Sequence, residues 1–155
     1  MTSHGRPTRR TVSLAIPAPD GSDRVLVVLR PPDDPDLPDV WGLPAGRMAP
    51  DETVEAGALR IAREKLGVEV AGPRVLQDGG LDRPGFRLEM TLVRARIVSG
   101  EPRVPQPGTG VTQYVDWRWD APGVLEPAAE KGSLCCRLFL AAEGSGRWGS
   151  GPPIG

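Results

Sequence analysis

Residues 46–68 read Gly-Arg-Met-Ala-Pro-Asp-Glu-Thr-Val-Glu-Ala-Gly-Ala-Leu-Arg-Ile-Ala-Arg-Glu-Lys-Leu-Gly-Val, and this stretch constrains the fold more tightly than any other. A glycine-led turn runs into a helix predicted over residues 53–66. Asp51 or Thr53 can supply the N-cap oxygen, and Glu52 and Glu55 suit the positive end of the helix. Gly67 suits the left-handed position that ends it. At about 100° per residue, Ala58, Leu59, Ala62 and Leu66 share one face and are expected in the core.

Strand signals flank that helix. Residues 11–18 and 25–30 are rich in β-branched side chains and are separated by a Pro-Asp-Gly-Ser turn signal. Residues 31–39 hold four prolines, which remove donors and fix φ, so a surface loop is expected. The acidity of that loop argues against its gripping phosphates. Residues 40–46 read as a short extended segment. Beyond the helix, residues 68–70 and 74–77 read as short strands, and residues 86–98 as a longer one. In that longer strand Phe86, Leu88, Met90 and Leu92 alternate with Arg87, Glu89 and Thr91. A Pro/Gly-rich loop over 101–110 leads to a strand over 111–119. An irregular or short helical connection over 121–130 precedes an apolar helix over 133–142, capped at Ser133.

This order predicts an α+β domain over residues 11–143, a mixed β-sheet sandwiched between helices. Residues 1–10 are expected to be a disordered leader and residues 144–155 a flexible Gly/Ser/Pro tail. A length of 155 residues is one domain's worth, enough for a real core. The net charge of −1 gives no field that would favour a nucleic-acid polymer or a membrane surface as partner. No apolar run approaches the roughly 18 residues that a membrane helix needs. The N-terminus lacks the apolar core of a signal peptide. Cys135 and Cys136 are adjacent; a vicinal disulfide is strained, so both are read as buried free thiols. These features together predict a cytoplasmic protein.

The 46–68 stretch resembles a Nudix box: Gly, five residues, Glu, seven residues, then Arg-Glu-apolar-any-Glu-Glu-any-Gly-apolar. Gly46, Glu52, Arg60, Ala62, Glu64, Gly67 and Val68 fall in register, while Ile61 and Lys65 stand where the family carries glutamates. The resemblance implies the Nudix fold and a loop–helix–loop that holds Mg2+ or Mn2+ against the diphosphate of a phosphorylated small molecule. It also allows a homodimer. In that family the arginine matching Arg60 orients the catalytic carboxylates.

Positions 61, 64 and 65 lie together on a helix, which is where the family's carboxylates cluster. Here one carboxylate of the three remains. Isoleucine cannot bind a metal or take a proton, and a lysine ammonium offers donors but no lone pair. Three readings follow. In the first, Glu52 assists Glu64 as metal ligand and catalytic carboxylate, with Arg60 orienting them; Glu55 points about 180° away from Glu64. In the second, Lys65 does the electrostatic work of a cation. With Arg60 and Arg63 it holds an anionic ligand without metal. In the third, Lys65 only pairs with an acidic neighbour and the site has decayed.

Other candidates each carry two readings. Gly46 allows close backbone approach to a phosphate, or simply makes a tight turn. Trp41, Trp117 and Trp119 offer stacking surfaces for a ligand, or pack in the core. His4, the only histidine, falls in the leader, so no histidine-based catalysis is expected. A protein-interaction module is a third class, supported only by the Pro-rich loop.

Overall fold

A computed structural model describes residues 7–104 and 114–148. Two sheets form the frame. The larger orders its strands as β4 (Ala45–Arg47), β1 (Thr8–Ala15), β6 (Phe86–Ser99) and β5 (Glu69–Arg83). In it β1 runs parallel to β6, and the other pairs are antiparallel, so the sheet is mixed. The smaller sheet orders β3 (Trp41–Gly42), β2 (Val25–Leu29) and β7 (Asp116–Asp120), all antiparallel. The helices are α1 (Val54–Leu66), α2 (Glu126–Glu130) and α3 (Leu134–Gly144), with a single 3₁₀ turn at Pro122–Leu125 before α2.

Each face of the sheets carries its own core, which is why the strands are buried on both sides. On one face α1 contributes Ala58, Ile61, Ala62 and Leu66 against Val12, Leu14 and Val93. On the other, α3 contributes Leu138, Phe139 and Ala142 against Ala15, Val27 and Leu92. The expected α+β sandwich of a mixed sheet between helices is what forms.

The expected helix caps are also present. The Thr53 side chain accepts from the Ala56 N–H at 3.1 Å, and Gly67 ends α1 in the left-handed region at φ 71°. Ser133 caps α3 through Cys136. Cys135 and Cys136 are buried and free. No helix among the described residues is long and apolar enough to cross a membrane.

Four expectations need correction. The first strand starts at Thr8, inside the expected leader, because Thr8 pairs with Arg87 on β6. The two short strands after α1 are one long β5; bulges absorb Gly72 and Pro73 instead of ending the strand. The tail expected from Gly144 begins with packed residues. Trp148 is 3% exposed, stacks edge-on to Phe139 at 5.0 Å, and donates its indole N–H to the Asp23 carbonyl at 3.0 Å. Leu59, expected in the core, is only half-buried, and Ile61 and Lys65 take the buried face beside Ala58 and Ala62. His4, residues 105–113 (with the start of the strand expected at 111) and residues 149–155 lie outside the described residues.

Candidate functional site

Arg60 organises the turn before α1 and the first turns of the helix. Its Nε donates to Glu52 Oε2 at 2.7 Å and its Nη2 to Glu52 Oε1 at 2.8 Å, a bidentate fork. Nη2 also donates to the Arg47 carbonyl at 2.7 Å, and Nη1 reaches Glu64 Oε1 at 2.9 Å. Glu52 in turn accepts the Ala49 N–H at 3.1 Å. Hydrogen bonds from Arg60, and then from that N–H, hold the Glu52 carboxyl at about 2. Glu52 therefore works as a bracket for the turn, with both oxygens engaged. Glu64 is half exposed, one oxygen on Arg60.

The two substituted box positions point inward. Ile61 is 1% exposed and lies beneath the turn: a Cβ at position 46 would come within 3.0 Å of its Cγ1 and 3.2 Å of its Cδ1. Gly46 is thus required by Ile61 packing as much as by any ligand. Lys65 is 8% exposed, and its Nζ stands 5.4 Å from the centre of the Tyr114 ring. Burial lowers the pKa of its ammonium from the ordinary lysine value; Glu64 opposes that shift and Arg30 adds to it.

Lys65 and Tyr114 line a cleft of about 700 Å³ bounded by β1, the β4 turn, α1 and the start of β6. Its wall carries six cationic side chains, Arg9, Arg30, Arg47, Arg60, Lys65 and Arg83, against two carboxylates, Asp36 and Glu64. Phe86, Leu88 and Pro84 form an apolar flank, with the Arg9 guanidinium stacked 4.0 Å over the Phe86 ring. The Tyr114 hydroxyl accepts from the Ala45 N–H at 3.1 Å, tying the cleft floor to the Gly46 turn. Burial pushes that phenol to about 12, so it stays a neutral donor at physiological pH.

The structure brings Gly46, Arg60, Glu64 and Lys65 together in this cleft and leaves five candidates elsewhere. Arg63 is exposed and ion-paired with Glu69 at 3.0 Å, away from the cleft. Trp41 lies under the Arg118 guanidinium at 4.1 Å and packs on the α3-side core. Glu52 sits behind Arg60. Trp117 and Trp119 pack edge-to-face at 5.8 Å and line a separate cavity with Pro17 and Arg96. Neither spacing nor periodicity relates Arg9, Arg30, Arg47 and Arg83, which come from segments far apart in the chain and converge on the cleft only on folding.

The divalent ion implied by the Nudix-box resemblance does not fit this donor set. Ile61 fills one ligand position with hydrocarbon, Lys65 puts an ammonium at a second, and both Glu52 oxygens are committed. Among the described residues no group of three or more His, Cys, Asp or Glu side chains is placed to hold a metal.

Known proteins agree with this architecture. An RNA pyrophosphohydrolase from Pseudomonas fluorescens (strain SBW25) is 32% identical over 98 residues, covering 52% of this chain and 60% of that relative. The chain thus spans about 60% of the length of the curated relatives it matches. Among solved structures, a MutT NUDIX hydrolase from Burkholderia pseudomallei superimposes with a TM-score of 0.66 at 27% identity, covering 88% of this chain and 96% of that one. A NUDIX hydrolase from Nitrosomonas europaea gives a TM-score of 0.70 at 17% identity, over 92% of this chain and 91% of its own. The NUDIX domain family model matches residues 7–133, and the chain belongs to that family.

Proposed function

We propose that the cleft binds the diphosphate or another polyanionic group of a phosphorylated small molecule, with the Lys65 ammonium and the surrounding guanidiniums supplying the positive charge. The observation that carries this reading is the lining: six cations against two carboxylates around about 700 Å³, with one cation, Lys65, buried. Guanidiniums match phosphate oxygens in a bidentate fork, and a partly desolvated ammonium attracts an anion more strongly than one in water. A cleft of this volume suits a small molecule rather than a polymer. The two buried thiols support a reducing, cytoplasmic setting.

The test is calorimetric titration of pyrophosphate and ADP in the presence of EDTA. Binding that persists in EDTA and is lost in Lys65→Met supports the reading; absence of binding, or binding indifferent to Lys65→Met, rejects it.

A second reading, hydrolysis of a phosphoanhydride, is favoured by one observation: Glu64 presents a half-exposed carboxylate to the same cleft. It is tested by incubating the protein with nucleoside diphosphate derivatives and Mg2+ or Mn2+. The name of the Pseudomonas relative argues for adding 5′-triphosphorylated RNA to that panel. Turnover abolished by Glu64→Gln is the expected sign of activity.

A further inference from the structure

The loop between β2 and β3 is acidic and proline-rich, yet one of its carboxylates is buried. Asp34 is 6% exposed and accepts the N–H groups of Asp36 at 2.9 Å and Leu37 at 2.8 Å. It also takes Arg30 Nε at 3.1 Å and Nη2 at 2.8 Å. Asp39, in the left-handed region at φ 59°, closes the loop by donating its N–H to the Pro31 carbonyl at 3.3 Å. Four prolines fix further φ angles. The loop is therefore pinned from within, and Asp34 sets two cleft groups at once: the Arg30 guanidinium and the backbone that carries Asp36.

Asp36 is the odd group in that wall. Of the two carboxylates lining the cleft, Glu64 is bonded to Arg60, whereas Asp36 is exposed to solvent at the cleft's edge and its carboxylate accepts no hydrogen bond among the described residues, so a ligand can reach it. A carboxylate is an acceptor only, and it repels phosphate. A wall built solely to hold phosphate gains nothing from it. It becomes favourable when the ligand itself brings donors beside its anionic group.

We infer that Asp36 is a specificity-determining residue, selecting phosphorylated ligands that also carry hydrogen-bond donors (sugar hydroxyls or a base amino group) over donor-free diphosphates. The inference deepens the anion-binding reading above and rests on it. Arg30, Lys65 and their neighbours hold the phosphates, and Asp36 accepts from the organic part of the same ligand. Losing a partner for a charged acceptor costs about tenfold or more in affinity, which sets the expected discrimination.

The experiment titrates wild type and Asp36→Ala, in EDTA, with pyrophosphate, dimethylallyl diphosphate, ADP, 2′,3′-dideoxy-ADP and inosine diphosphate. Wild type should bind ADP about tenfold more tightly than dimethylallyl diphosphate. Asp36→Ala should erase that ratio while tightening pyrophosphate, because a like charge leaves the wall. Whichever of the dideoxy and inosine ligands loses the tenfold names the donor as ribose hydroxyl or base amino. A wild-type ratio near one overturns the inference, as does an Asp36→Ala protein that keeps the ratio or weakens every ligand alike. If wild type fails to bind pyrophosphate, the underlying anion-binding reading falls and takes this inference with it. Unchanged melting temperature shows that the substitution has left the loop folded.

Discussion

Ile61 occupies the space that a side chain on residue 46 would need: a Cβ there would come within 3.0 Å of Ile61 Cγ1. The glycine and the isoleucine are therefore a packed pair, and they should behave as one in mutagenesis. Gly46→Ala forces a shift in a side chain that is only 1% exposed, at an expected cost of about 1–3 kcal/mol. Ile61→Ala should cost about 2–5 kcal/mol on its own. In the double variant the added methyl enters the space vacated, so the combined loss should be smaller than the sum. Urea denaturation of the four proteins checks this; strictly additive losses would show that the two residues do not share that space.

The Glu52–Arg60 bracket predicts an acid limb of stability. The folded-state value of about 2 lies below the ordinary 4.5, so Glu52 binds fewer protons folded than unfolded between those values. Its contribution is fully present above about pH 4.5 and is lost as pH falls toward about 2. Glu52→Gln should be less stable than wild type at pH 7, and the gap should narrow by pH 3. A gap that stays constant over that range would assign the loss to packing and not to the ion pair.

These two relationships show what the sequence made legible. The turn, the caps of α1 and the register of the box follow from local chemistry: an N-cap hydroxyl, a left-handed glycine, an apolar period. An orienting role for Arg60 was implied only by the family resemblance; the structure places its two carboxylate partners, Glu52 and Glu64, eight and four residues away. The cleft was not. Arg9 and Arg83 come from β1 and β5 and Arg30 from the loop after β2, and neither periodicity nor spacing relates them until β1 and β5 pair with β6. Lys65 was legible as a substitution, but its burial depended on Tyr114, 49 residues along the chain, covering it.

That burial makes opposite predictions for stability and for binding. Lys65→Met keeps the length of the stem and removes a charge that burial disfavours. Because burial disfavours the charged ammonium, the variant should be as stable as wild type or more so. It should lose most of its pyrophosphate affinity. Melting curves and calorimetry on the same preparation separate the two effects. A large fall in melting temperature would mean that the ammonium is needed to hold the fold.

Trp148 tests the C-terminal boundary of the domain. It packs on Phe139, its ring lies 5.4 Å from the Arg94 guanidinium carbon, and its indole bonds to the turn at Asp23. Replacing it with alanine should cost about 3–5 kcal/mol, the range for a buried aromatic. Trp148→Phe should recover part of that and leave the Asp23 carbonyl without its donor. A Trp148→Ala protein with unchanged denaturation midpoint would return this residue to the tail.

The missing carboxylates can be put back. Glutamates at 61 and 65 would join Glu64 on one helical face, at the spacing that clusters oxygen ligands for a divalent ion. In the Ile61→Glu, Lys65→Glu variant, two carboxylates at buried positions beside Glu64 lower the stability of the metal-free protein. A bound cation offsets that charge, so Mn2+ should raise its melting temperature in a dose-dependent way through linkage. Wild type, with hydrocarbon and an ammonium at those positions, should show no such response. The same variant should lose the EDTA-resistant binding of pyrophosphate, since one of the fixed cations is gone and two negative charges face the ligand. Equal responses to Mn2+ in the two proteins would mean that the ion binds elsewhere, and that Ile61 and Lys65 are not what sets the metal preference of the cleft.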